Sequence, residues 1–182
     1  MSTFRFKPLL AAASLAVLTV AAPLALAGHL NILLNAELDG RQEVSAVATS
    51  NAIVGDPNGR GEFYAFGIDG NRDTLCYNLQ AKRIAELDMA PGNGRAAHIH
   101  RGAAGENGPV VANLAWPQGG QSADCLNGLT QSARFVLANT QFADAQALIA
   151  DILANPQNYY VNVHNSVYTA GVIRGQLRVA EF

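Results

Sequence analysis

Beyond residue 29 this chain is dominated by short segments in which apolar and polar residues alternate with a period of two: 30–38, 61–68, 74–80, 96–101, 159–165 and 171–179. That period places successive side chains on opposite faces of a strand, so each segment reads as a strand. Turn signals lie between them, among them Asp56-Pro57-Asn58-Gly59, Asp69-Gly70-Asn71 and Pro91-Gly92-Asn93-Gly94. One stretch departs from the pattern. Phe142, Ala145, Leu148, Ile149, Ile152 and Leu153 recur at helical spacing ahead of Asn155-Pro156, which predicts one amphipathic helix over about residues 141–154. Short strands with a single helix point to an all-β, antiparallel, Greek-key-like sandwich or barrel.

The amino end differs in kind. Arg5 and Lys7 precede an apolar run, 9–27, that closes on Ala25-Leu26-Ala27. This is the layout of a secretory signal peptide over residues 1–27. Such a run is also long enough to span a bilayer. A processing site ends it, however, and no cationic cluster follows, so cleavage is expected and no membrane span remains after it. The expectation is then a single domain over residues 28–182, exported to the periplasm or secreted. Loss of Arg5 and Lys7, with no acid in that segment, takes the formal net charge from −2 to about −4. With no basic patch, nucleic acid is not expected as a partner.

The two cysteines, Cys76 and Cys125, allow one pairing. In an exported chain an even count reads as a disulfide, the alternatives being a metal thiolate or a free thiol pair. Cys76 falls in a strand-like segment and Cys125 in a polar, glycine-rich one, so the bond is expected to pin a long loop to the sheet.

The histidines carry the most pointed chemistry. In Ala97-His98-Ile99-His100-Arg101 the two imidazoles, two residues apart, share a strand face and Ile99 takes the other. In Tyr159-Tyr160-Val161-Asn162-Val163-His164 the valines share one face, while Tyr160, Asn162 and His164 take the opposite one. If the apolar faces form the core, His98, His100 and His164 all leave it on the same kind of face. They can then meet outside the sheet, where solvent and a metal reach them. Three imidazoles with an open fourth position suit one copper or zinc ion. The plainer alternative is surface or hydrogen-bonded histidines that fix loops. His29, close to the expected new amino terminus, is a further candidate ligand, against an ordinary place at the start of the first strand. Arg101, Asn162 and Arg174 are candidate residues around the ligands, although Arg174, Gln176 and Arg178 also read as a solvated strand face.

At these residues the chain resembles the CHRD domain, first described in chordin and also found in exported bacterial proteins. The resemblance is carried by Ala36-Glu37-Leu38-Asp39-Gly40-Arg41-Gln42-Glu43-Val44, by Leu75-Cys76-Tyr77-Asn78-Leu79, by residues 97–111 with their His-Ile-His-Arg-Gly, by Tyr160-Val161-Asn162-Val163-His164-Asn165, and by Ile173-Arg174-Gly175-Gln176-Leu177. Two departures stand out: Ser45-Ala46 where the family usually has proline after Glu-Val, and Val172 where it usually has an acid. The resemblance implies an extracytoplasmic β-sandwich module without an agreed catalytic mechanism. The chain is also similar, more distantly, to copper–zinc superoxide dismutase, in its His-x-His strand, late Val-x-His strand and disulfide. The two-metal site of that enzyme needs six histidines, and four here exclude it.

Other chemistry is set aside on local grounds. Glu86 and Asp88 sit in an irregular polar stretch, and Ser45, Ser50 and Ser122 lack nucleophile-elbow glycines. The 102–108 segment has no Lys-Ser/Thr ending and reads as a glycine-shaped turn beside the His-x-His strand. Trp116 and the tyrosines are candidates for a glycan or peptide patch, with a core role as the default. The leading expectation is a non-enzymatic, extracytoplasmic binding module with one copper or zinc ion. A copper-dependent, dismutase-like redox enzyme and a metal-free adhesive domain that binds a protein or polymer are the rivals.

Overall fold

The computed structural model describes residues 31–45, 53–68, 73–84 and 96–181. The expected signal peptide, His29, Ser50, Glu86, Asp88 and the turns at 69–71 and 91–94 lie outside the described residues. Among the described residues the strands are β1 (Asn31–Asp39), β2 (Arg60–Ile68), β3 (Thr74–Lys82), β4 (Ala97–Arg101), β5 (Val110–Asn113), β6 (Gln121–Asn127), β7 (Tyr159–Val163), β8 (Ile173–Gln176) and β9 (Arg178–Val179). They form one antiparallel sheet in the order β5-β4-β7-β8-β1-β2-β3-β6, with β9 also on β1, curled into a half-barrel. Segment 171–179 is thus two strands, broken at Leu177.

The alternation does what period two requires. Leu34, Ala36 and Leu38 of β1, Phe63 and Ala65 of β2, Leu75, Tyr77 and Leu79 of β3, Ile99 of β4, and Val161 and Val163 of β7 all enter one core. The helix α1 (Ala145–Ala154) adds Leu148, Ile149, Ile152 and Leu153 to it. It starts later than its apolar spacing suggests, because the Asp144 side chain accepts from the Ala147 amide and caps it there, leaving Phe142 outside. The expected turn at 56–59 is present, with the Asn58 amide on the Asp56 side chain at 2.9 Å.

Arg134 bridges the two end strands of the sheet. Its Nε donates to the Asn113 carbonyl of β5 at 3.0 Å, and its guanidinium meets Asp124 of β6 at 3.0 Å. Cys76 and Cys125 are disulfide-bonded. They sit directly opposite each other on β3 and β6, so the bond staples neighbouring strands instead of pinning a loop. The expectation failed on that point because β6 is an end strand with a polar outer face, and its sequence shows little apolar alternation. Reduction of this bond, which closes a separation of 49 residues, is expected to cost about 2–4 kcal/mol. Denaturant unfolding with and without reductant measures it, and coincident curves would contradict the prediction.

Candidate metal centre

The polar side chains opposite the core are arranged in two cross-strand rows. Asn113, His98, Asn162, Arg174 and Asp39 pair in register across β5, β4, β7, β8 and β1, while His100, Tyr160 and Gln176 pair across β4, β7 and β8. Directly paired residues share a face and touch. His164, just past β7, follows Asn162 on the same face and donates its amide to the Ala96 carbonyl at 2.7 Å. Strand parity therefore brings His98, His100 and His164 together, with ring centroids 5.0 Å apart for His98–His164, 5.6 Å for His98–His100 and 6.2 Å for His100–His164. One ligating atom from each lies within 4.8 Å of the others, a cluster that could hold a metal ion.

This face is not open to solvent. His98, His100 and His164 are 3, 8 and 8% exposed. Chain segments cover them. The 102–109 loop lies over the sheet, its Gly108 carbonyl bonded to His100 Nδ1 at 2.9 Å and its Gly102 carbonyl to Gln176 at 3.0 Å. The 165–171 segment turns on the buried Asn165, whose side chain accepts from the amides of Val167 and Tyr168. It delivers the Thr169 carbonyl to His164 Nδ1 at 3.0 Å. A carbonyl only accepts, so each of those Nδ1 atoms carries the proton. In the neutral ring Nε2 then holds a lone pair. The Nε2 atoms of His100 and His164 are buried and have no hydrogen-bond partner among the described residues.

Burial also favours the neutral form of the His100 and His164 rings. His100 is pushed down to about 4, first by loss of hydration, with the charges of His164 and Arg174 adding to it and the Gly108 carbonyl opposing it. His164 is lowered by burial as well. In unfolded chain a histidine protonates near its ordinary 6.5, so the unfolded state binds more protons as pH falls toward 4 and stability is lost over that window. Glu43, raised to about 8 chiefly by burial, acts in the opposite sense between its ordinary 4.5 and 8. The overlap flattens the raw curve, so the histidine contribution is read by difference. In metal-free protein the stability of wild type relative to His100→Gln should fall by about 3 kcal/mol between pH 6.5 and 4. A constant difference would contradict it.

Of the flanking residues, Asn162 lies in the His98 row and donates to Glu43 Oε2 at 3.3 Å. Arg174 is 2% exposed, which corrects the solvated-face expectation. Its guanidinium lies 3.5 Å from the centroid of the Tyr160 ring and donates to the carbonyls of Ala103 and Glu106 at 3.1 and 2.7 Å. Burial is possible because these loop acceptors and the ring replace water around the charge. Arg101 shares the Ile99 face and lies over Phe142, away from the imidazoles. Tyr160 was not singled out from sequence, yet its ring stacks flat on His100 at 4.7 Å and 12°. Its signal was its shared face with Asn162 and His164. Glu43 gave none. Tyr77, Tyr159 and Tyr160 are buried, so they form no surface patch with Trp116.

The CHRD domain family matches residues 34–177, from β1 through the residue after β8. This chain belongs to the CHRD domain family. The match takes in both histidine motifs and the loop that covers them, so the cluster is part of the CHRD domain itself and not an appendage to it. No curated protein and no solved structure gives a match to the chain.

Proposed function

We propose that this CHRD domain is an exported binding module built around one copper or zinc ion, held by His98, His100 and His164. One observation carries the reading: His100 and His164 each commit Nδ1 to a backbone carbonyl, leaving their Nε2 lone pairs buried within a group of three imidazoles. Fixing one ring nitrogen by a carbonyl to orient the other is how metal-binding histidines are held. The fit is close. Metal–nitrogen bonds of about 2.0–2.1 Å require each ligating atom to move by less than about 1 Å from the present 4.8 Å spread.

Binding is favoured over turnover by the enclosure. The imidazoles are covered, and Arg174 already donates to two loop carbonyls and to Asn107, which weakens it as a guide for an incoming anion. The Cys76–Cys125 bond supports an oxidising compartment, in keeping with a signal peptide over residues 1–27. Among the described residues no helix is long and apolar enough to cross a membrane. The ligand in this reading is the metal ion, and an extracytoplasmic protein or polymer is the next candidate partner. Equilibrium dialysis of the purified chain against copper or zinc tests the site. One equivalent per chain, absent from the His98→Ala/His164→Ala double variant, is expected; a wild-type chain that retains no metal overturns the proposal.

A further inference from the structure

We infer that the three-histidine site selects monovalent copper over divalent copper and zinc. This rests on the metal-site reading above and adds the charge and coordination of the ion.

Charge is the first ground. Among the described residues the ligating set consists of three imidazoles, with no carboxylate or thiolate to offset a dication. A fixed cation stands close by: Arg174 lies 3.5 Å from the Tyr160 centroid, and that ring stacks on His100 at 4.7 Å, which places the guanidinium within about 8 Å of the His100 ring. Glu43, a buried acid on this face, is bound to Asn162 and acts on the charge of Arg174. At best it cancels that charge and leaves nothing for the metal. At an effective dielectric constant of about 20, each added unit of metal charge at that separation weakens binding by more than tenfold.

Room is the second ground. Zinc and divalent copper complete their shells with a fourth ligand, usually water or an anion. Here the rings are at most 8% exposed, Tyr160 lies flat against one of them, and the covering segments take up both Nδ1 atoms. Arg174 already donates to Ala103, Glu106 and Asn107, which opposes its recruiting an anion as that ligand. Monovalent copper has a filled d shell and is satisfied by three neutral nitrogens. Selection would then come from charge and enclosure, without the soft sulfur ligands that commonly choose this ion.

The test is competition on the full oxidised chain at pH 7.5. Cu(I) is titrated without oxygen against bicinchoninate, and Cu(II) and Zn(II) each against a chromophoric chelator. The expected result is one Cu(I) per chain, bound at least about a hundredfold more tightly than either dication, with Arg174→Gln narrowing the gap by about tenfold and Arg174→Lys preserving it. If Arg174→Gln does not fold, the wild-type ratios alone decide. Zinc or Cu(II) bound as tightly as Cu(I) overturns the selectivity and leaves the three-histidine site standing. Retention of no ion in any oxidation state overturns both.

Discussion

Alanine at His98, His100 or His164 is expected to lower the affinity of the chain for the proposed metal ion by at least about a hundredfold, whereas Arg101→Ala leaves it within about threefold. The difference follows from strand parity. The three imidazoles share one face of the sheet, and loss of one leaves two donors in a site too enclosed for water to supply the third. Arg101 belongs to the same strand as His98 and His100 but points to the opposite face, where it lies over Phe142. The single variants should also separate from one another in stability. His100→Ala removes one of two donors to the Gly108 carbonyl, the other being the Tyr160 hydroxyl, together with the ring stacked on Tyr160, while His164→Ala removes the donor to the Thr169 carbonyl. Loss of either hydrogen bond costs about 0.5–1.5 kcal/mol, and His100→Ala forfeits the ring stacking in addition. Competition titration beside denaturant unfolding resolves the two effects. A fall in stability with unchanged metal affinity would show the histidines to be purely structural.

Parity was legible in the sequence because β1, β2, β3, β4 and β7 alternate clearly enough to assign each side chain a face. The strands that escaped notice lacked that signal for physical reasons. β5 is four residues long and reads Val-Val-Ala-Asn, with three of its four side chains buried. β6 ends the sheet, and Leu126 is its single buried residue, so nothing forces apolar residues into every second place. Burial of the site was not legible either. Alternation distinguishes two faces of a strand but does not say what lies over the polar one, and here irregular segments fold back over the strands they follow and are held there by distant partners. Arg174 reaches loop carbonyls 68 and 71 residues away, and Asn162 meets Glu43 across 119. A sheet polar on one face usually meets water there. This one meets its own loops, which turns a surface site into an enclosed one and sharpens what it can bind.

The loop itself supplies the second large effect, Gly108→Ala, expected to cost about 3–5 kcal/mol and to weaken metal binding by about 10–100-fold. A Cβ on Gly108 would fall 1.6 Å from the Arg101 carbonyl oxygen, a backbone atom at the end of β4. Either the strand end or the loop must give way. Strand register beside it depends on the Arg101 amide donating to Pro109 at 3.0 Å, and the Gly108 amide donates to the Tyr160 hydroxyl at 3.2 Å. Moving the loop strands the Arg174 charge, whose acceptors at Ala103 and Glu106 belong to it, and frees His100 Nδ1 from Gly108. Gly105, three residues earlier, provides the control. Its φ of +81° favours glycine, but a Cβ there meets nothing within 4 Å. Gly105→Ala should therefore cost only about 1–2 kcal/mol and leave metal affinity intact. Unfolding and metal competition on the two variants compare a loop strained in place with a loop displaced. If Gly108→Ala folds yet binds metal as tightly as wild type, the Gly108 carbonyl does not orient His100, and the ligand geometry is set by the sheet alone.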